Sequence, residues 1–81
     1  MNKADLKAAV QAALEGDWHT AHNIAQDYSD GTANWIHAVL HKIEGDAGNS
    51  RYWYAHGTGH HFEDFADSTL ELQAILQTLE D

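Results

Sequence analysis

The chain has 81 residues, with thirteen acidic and four basic side chains and a formal charge of −9 when histidine is counted as neutral. This length supports one small hydrophobic core and excludes large enzyme folds and a second domain. Nucleic acids and anionic membrane surfaces attract clustered lysine and arginine, which this chain lacks, so the charge predicts neither as a partner.

The absence of cysteine excludes disulfides, thiolate metal sites and cysteine nucleophiles. It also fits a reducing compartment. The amino end leads directly into an amphipathic pattern, and no apolar run approaches the roughly 20 residues that span a bilayer. We therefore expect a cytoplasmic protein.

The absence of proline and the spacing of apolar residues predict five helices along the chain. The first runs from a cap at Asn2 to Gly16, the second from Asp17 towards the turn at 29–31, the third from Asp30 or Thr32 to Gly45, the fourth from Asp46 to Gly57, and the fifth begins at Ser68. Ser68 and Glu71 have the spacing of a capping box. Residues 62–67 are expected to form a short helical turn or an ordered loop.

A four-residue motif occurs twice, as Leu14-Glu15-Gly16-Asp17 and, 29 positions later, as Ile43-Glu44-Gly45-Asp46. In each copy a glycine ends one helix and an aspartate caps the next, which predicts two antiparallel hairpins over residues 1–28 and 31–57. A link over 58–67 and a C-terminal capping helix over 68–81 follow. The predicted fold class is all-α, with a tetratricopeptide-like architecture in one domain.

Tryptophan, histidine and tyrosine recur in a specific pattern across the two predicted hairpins. The pattern consists of Trp18, Ala21-His22 and Gln26, then Trp35, His37-Ala38 and Leu40-His41, then Glu44-Gly45-Asp46 and Tyr52-Trp53-Tyr54. It resembles that of a family of small uncharacterised bacterial all-helical proteins over roughly residues 14–57. The resemblance implies a small bacterial helical protein and does not imply an activity.

The seven histidines are the candidate functional groups. His37 and His41 are four residues apart and project from one helix face, which is the spacing with which a helix chelates a divalent metal ion. The third ligand must come from elsewhere, because Glu44 lies too far along the axis from His37 to share an ion with both histidines. The candidates are His22 or His56, and also Gln26, His60 or His61. The alternative is that the histidines only hydrogen-bond within the core.

A concave surface lined by aromatic and polar side chains is typical of a binding site. The candidate groove residues are His22, Gln26, Trp35, His37, His41, Glu44 and Trp53. The leading prediction is a protein- or peptide-binding module that uses this groove, and the alternative is a metal-binding protein that uses His37 and His41. The tryptophans are otherwise simply part of the core.

A small hydrolase-type enzyme is a weaker alternative. The chain has no nucleophile motif, no HExxH pair and no complete metal signature. We therefore predict that the protein is not an enzyme and has no cofactor other than a possible divalent metal.

The C-terminal part of the chain is acidic and carries one apolar stripe. The acidic residues are Glu63, Asp64, Asp67, Glu71, Glu80 and Asp81, and together they predict a solvated face. The apolar stripe consists of Leu72, Ile75, Leu76 and Leu79. It either covers the hairpins or pairs with a second copy in a homodimer.

Overall fold

The computed structural model describes residues 2–81, which fold into five α-helices and one short 3-10 turn. The helices are α1 (Lys3–Leu14), α2 (Trp18–Ala25), α3 (Gly31–Ile43), α4 (Ala47–Tyr54) and α5 (Ser68–Glu80), and the 3-10 turn is Phe62–Asp64. No strand forms within residues 2–81. The predicted all-α class with about five helices is confirmed.

The repeated four-residue motif forms the same turn twice. Gly16 and Gly45 have φ values of 85° and 84°, in the left-handed region where glycine has no Cβ clash. The amide of the aspartate that follows each glycine donates to a carbonyl of the preceding helix, at 2.8 Å for Asp17 and 2.9 Å for Asp46. Each aspartate side chain then caps the next helix. As a result, α2 packs against α1 and α4 packs against α3.

Helix α3 is the central element, because it contacts all four other helices. Every residue from Ala33 to His41 is buried. Helix α5 packs against both α1 and α3 and closes the core. This arrangement makes α3 the rigid support for the histidines that it carries.

Helix α5 begins with a different cap from the one predicted. Asp67 is the N-cap and accepts hydrogen bonds from the amides of Thr69 and Leu70. Ser68 is instead the first helical residue, and Glu71 has no exposed surface. The predicted capping box is wrong, because an equally good cap, Asp67, precedes Ser68. The predicted exposure of Glu71 is also wrong, because the interior provides partners for its carboxylate.

Glu71 is the polar centre of the contact between α3, α4 and α5. Its carboxylate accepts hydrogen bonds from Trp35 Nε1 at 2.8 Å and from the Tyr54 hydroxyl at 2.5 Å. Lys42 Nζ pairs with it at 2.8 Å and also donates to two loop carbonyls at 2.9 and 3.2 Å. Among the described residues, no buried side-chain nitrogen or oxygen is left without a partner.

The apolar stripe of α5 belongs to the core of this chain. Leu72, Ile75 and Leu79 are 0–2% exposed, and Leu76 is partly buried against the same core. The stripe therefore covers the hairpins of its own chain, which is the first of its two predicted roles, and its buried side chains are not available to a second copy. None of the helices between residues 2 and 81 has the length and apolarity that crossing a bilayer requires.

Candidate metal centre

Three histidines from two helices converge between α2 and α3. His22 Nε2 lies 3.1 Å from His37 Nε2. The His41 ring centroid is 4.9 Å from that of His37 and 5.5 Å from that of His22. One ring nitrogen of each histidine lies within 4.8 Å of the other two. The structure therefore brings together His37 and His41, which were predicted from their helical spacing, and His22, which was one of the possible third ligands.

Two indole rings form the walls of this three-histidine cluster. Trp18 stacks on His22 with ring centroids 4.7 Å apart, and its Nε1 donates to the Leu40 carbonyl at 2.7 Å. Trp53 of α4 stacks on His37 at 4.0 Å. These contacts hold the imidazoles of His22 and His37 in place from both sides.

Burial keeps two of the three histidines, His22 and His37, uncharged. His37 and His41 are only 6% and 7% exposed. Burial, followed by the neighbouring His22 and His41, lowers the pKa of His37 from 6.5 to about 4. Burial also lowers the pKa of His22, and His41 adds to the effect. The imidazoles of His22 and His37 are therefore neutral at pH 7, and each has one nitrogen with a lone pair; in the bond between their Nε2 atoms, one ring donates and the other accepts.

Glu44 fixes which nitrogen of His41 is available. The Nδ1 of His41 lies 2.7 Å from Glu44 Oε1, so the ring donates its Nδ1 proton to this carboxylate. In the neutral ring this leaves the lone pair on Nε2, as in metal sites where a carboxylate orients a histidine ligand. Glu44 thus supports the three-histidine cluster through His41.

Several residues predicted for the groove or the metal site lie elsewhere. Gln26 is exposed and donates to Asn23. Trp35 stacks on His60 at 3.7 Å and belongs to the Glu71 contact, because two positions along a helix turn a side chain by about 200° away from His37. His56 is exposed, and its Nδ1 lies 2.6 Å from the Tyr52 carbonyl oxygen. The predictions that Gln26 and Trp35 line this surface and that His56 approaches the ligands are wrong.

Trp18 is a member of the site, although the sequence pattern predicts it only as part of the core. It lies four residues before His22 on the same helix, and residues four apart are neighbours on a helix surface. That spacing was the available signal for its stacking on His22.

A second group of potential ligands shares His41. It consists of His41, Glu44 and Asp46, with one possible ligand atom of each within 4.8 Å of the others. Both carboxylates are exposed, and Asp46 already caps α4 by accepting from the amide of Asn49 at 3.1 Å. The buried three-histidine cluster is therefore the stronger candidate.

A separate groove lies away from the histidine cluster. It has a volume of about 480 Å³ and runs between α4 and the loop at 57–63. Arg51 lies 4.3 Å above the Phe62 ring and pairs with Glu63 at 2.5 Å. The charge of Arg51 in this groove is thus already compensated by Glu63. The groove adds no ligand to the three-histidine cluster.

Comparison with known proteins gives no match to a protein-family model, to a curated protein or to a solved structure. The resemblance to small bacterial helical proteins therefore stays a prediction.

Proposed function

We propose that this protein binds one divalent transition-metal ion through His22, His37 and His41. The observation that carries the proposal is the convergence of one nitrogen from each ring within 4.8 Å. Imidazole suits zinc, copper and nickel, whereas magnesium and calcium prefer oxygen ligands. The proposed ion is therefore zinc, nickel or copper(II).

The spacing of one pair of nitrogens suits such an ion, and the His41 nitrogen lies within 4.8 Å of both. A zinc–nitrogen distance of about 2.0–2.1 Å in a tetrahedral site separates two ligand nitrogens by roughly 3.3 Å. His22 Nε2 and His37 Nε2 are 3.1 Å apart. The ion would replace the hydrogen bond between these rings and would connect α2 to α3.

The test uses tag-free protein stripped of metal and then titrated with zinc, nickel or copper(II). We expect one ion per chain by elemental analysis and a higher melting temperature. At a free ion concentration of about 100 times Kd, binding only to the native state adds about 2.7 kcal/mol to the free energy of unfolding. Copper(II) should also quench the fluorescence of Trp18 and Trp53, which stack on two of the ligands.

Matched histidine variants distinguish metal binding at this site from metal binding by any exposed histidine. His22→Gln changes the partly exposed ligand, and His60→Gln changes a histidine that stacks on Trp35 at a distance from the cluster. We expect the first variant to lose the stoichiometric ion and the second to keep it, with both folded by circular dichroism. If the wild type gains no melting shift and holds no stoichiometric metal, the proposal is wrong.

A protein- or peptide-binding module with tetratricopeptide-like architecture is the second candidate. The observation that favours it is the repeated Schellman-type turn at Gly16 and Gly45, which builds two similar helix pairs. The metal proposal ranks first because Gln26 and Trp35 are not part of the surface that the peptide would need. Loss of a bound protein on Trp53→Ala, with metal binding retained, would favour the peptide-binding module instead.

A further inference from the structure

We infer that the metal ion held by His22, His37 and His41 keeps one coordination position open to a small monodentate anion from solvent. This inference rests on the proposed metal binding and adds a ligand class to it. It follows from the number of donors, their charge and their exposure.

The described residues offer three ligand nitrogens to this site, and no fourth histidine and no carboxylate joins all three within 4.8 Å. Glu44 is engaged at Nδ1 of His41, on the side of the ring away from Nε2, so it does not reach the same ion while that hydrogen bond persists. Trp18 and Trp53 cover the sides of the cluster, and an indole has no lone pair to give to a metal. Three protein ligands with one exchangeable position is the arrangement of zinc sites that accept an external ligand.

The open position faces solvent on the α2 side. His37 and His41 are almost fully buried, whereas His22 is only partly buried and its helix neighbours His19 and Asn23 are exposed. A ligand that reaches the ion therefore approaches past His22. The indole walls restrict this approach to a small molecule.

The uncompensated charge of the metal ion favours an anion as the external ligand. Three neutral imidazoles leave the full charge of a divalent ion in a largely buried site, where Glu44 is hydrogen-bonded to His41 and Asp46 lies within 4.8 Å of that ring but is already engaged as the cap of α4. A poorly compensated buried charge is costly, and an anion bound to the metal compensates it directly.

Cobalt(II) substitution and azide test the inference. The metal-free full chain is loaded with cobalt(II), which reports its coordination through visible absorption bands, and sodium azide is then added. We expect a saturable change in the visible spectrum while the cobalt remains bound. His19→Ala should show the same response, because its side chain does not occupy the open position.

The outcomes separate this inference from the proposed function. A stable cobalt complex whose spectrum does not respond to azide overturns the open position and leaves metal binding intact. A response that appears only in His19→Ala also overturns it, because His19 then fills the fourth position. Azide that removes the cobalt instead of adding to it overturns it as well. Failure of the wild type to form any cobalt complex overturns the metal binding on which the inference depends.

Discussion

Removal of the Lys42 ammonium should destabilise the fold strongly. Glu71 has no exposed side-chain surface and the Lys42 side chain is 10% exposed, with Nζ 2.8 Å from the carboxylate. Lys42→Met keeps an unbranched apolar stem but leaves the Glu71 carboxylate buried without its cation. Breaking a buried pair in this way costs about 3–5 kcal/mol. A chain of this size has a total stability of about 4–12 kcal/mol, so the variant should lose a large share of it.

Urea unfolding followed by circular dichroism measures this loss. Lys3→Met is the matched control, because Lys3 is exposed and the same substitution there should change the free energy of unfolding by less than about 0.5 kcal/mol. Glu71→Gln combined with Lys42→Met should cost less than the sum of the two single variants, because the double variant has no unpaired carboxylate. Equal stabilities of Lys42→Met and Lys3→Met would refute the reasoning.

Three further predictions concern the histidine cluster and two glycines. The pKa of His37 is lowered from 6.5 to about 4, so the unfolded chain binds a proton at this residue more readily than the folded chain between these pH values. The metal-free protein should therefore keep its full stability above about pH 6.5. It should lose on the order of 3 kcal/mol of its free energy of unfolding from this group as the pH falls to 4. Urea unfolding against pH should show a smaller dependence in His37→Gln, and equal slopes for the two proteins would contradict the assignment. Gly31→Ala should lower the melting temperature, because its Cβ would meet the Gly57 carbonyl oxygen, whereas Gly48→Ala in α4 has open space and should gain up to about 1 kcal/mol. The reverse order of the two melting temperatures would be inconsistent with this packing. Glu44→Gln should weaken metal affinity about 10-fold to 100-fold by calorimetry without abolishing it, and an unchanged Kd would show that the carboxylate does not orient His41.

The helix boundaries could be predicted because their causes are local. Asp17 and Asp46 accept from amides three residues ahead, and Gly16 and Gly45 adopt the left-handed conformation within the same turns. All of these interactions join residues close in the sequence, so composition and spacing are enough to identify them. The cap of α5 could not be predicted in this way. Asp67 and Ser68 are adjacent and cap equally well, and the sequence does not show which of them the folded chain uses.

The ligands that lie on one helix could be predicted from the sequence, but the ligand that comes from a second helix could not be chosen from it. The spacing of His37 and His41 follows from helix geometry, whereas His22 was one of several possible third ligands because its position depends on how α2 packs on α3. The burial of Glu71 could not be predicted, since its partner Lys42 lies 29 positions earlier. Only the packing of α5 against α3 brings these charges together.

The central position of α3 has a consequence for hydrogen exchange. Amides in a helix that is buried from Ala33 to His41 exchange only when the whole chain opens, whereas the eight-residue α2 contacts fewer neighbours and opens at lower cost. Two of the proposed ligands therefore lie on the slowest-exchanging helix and His22 lies on a faster one. Brief detachment of α2 would separate His22 from His37 and His41 while α3 stays folded, so an ion would enter and leave at the rate at which α2 opens.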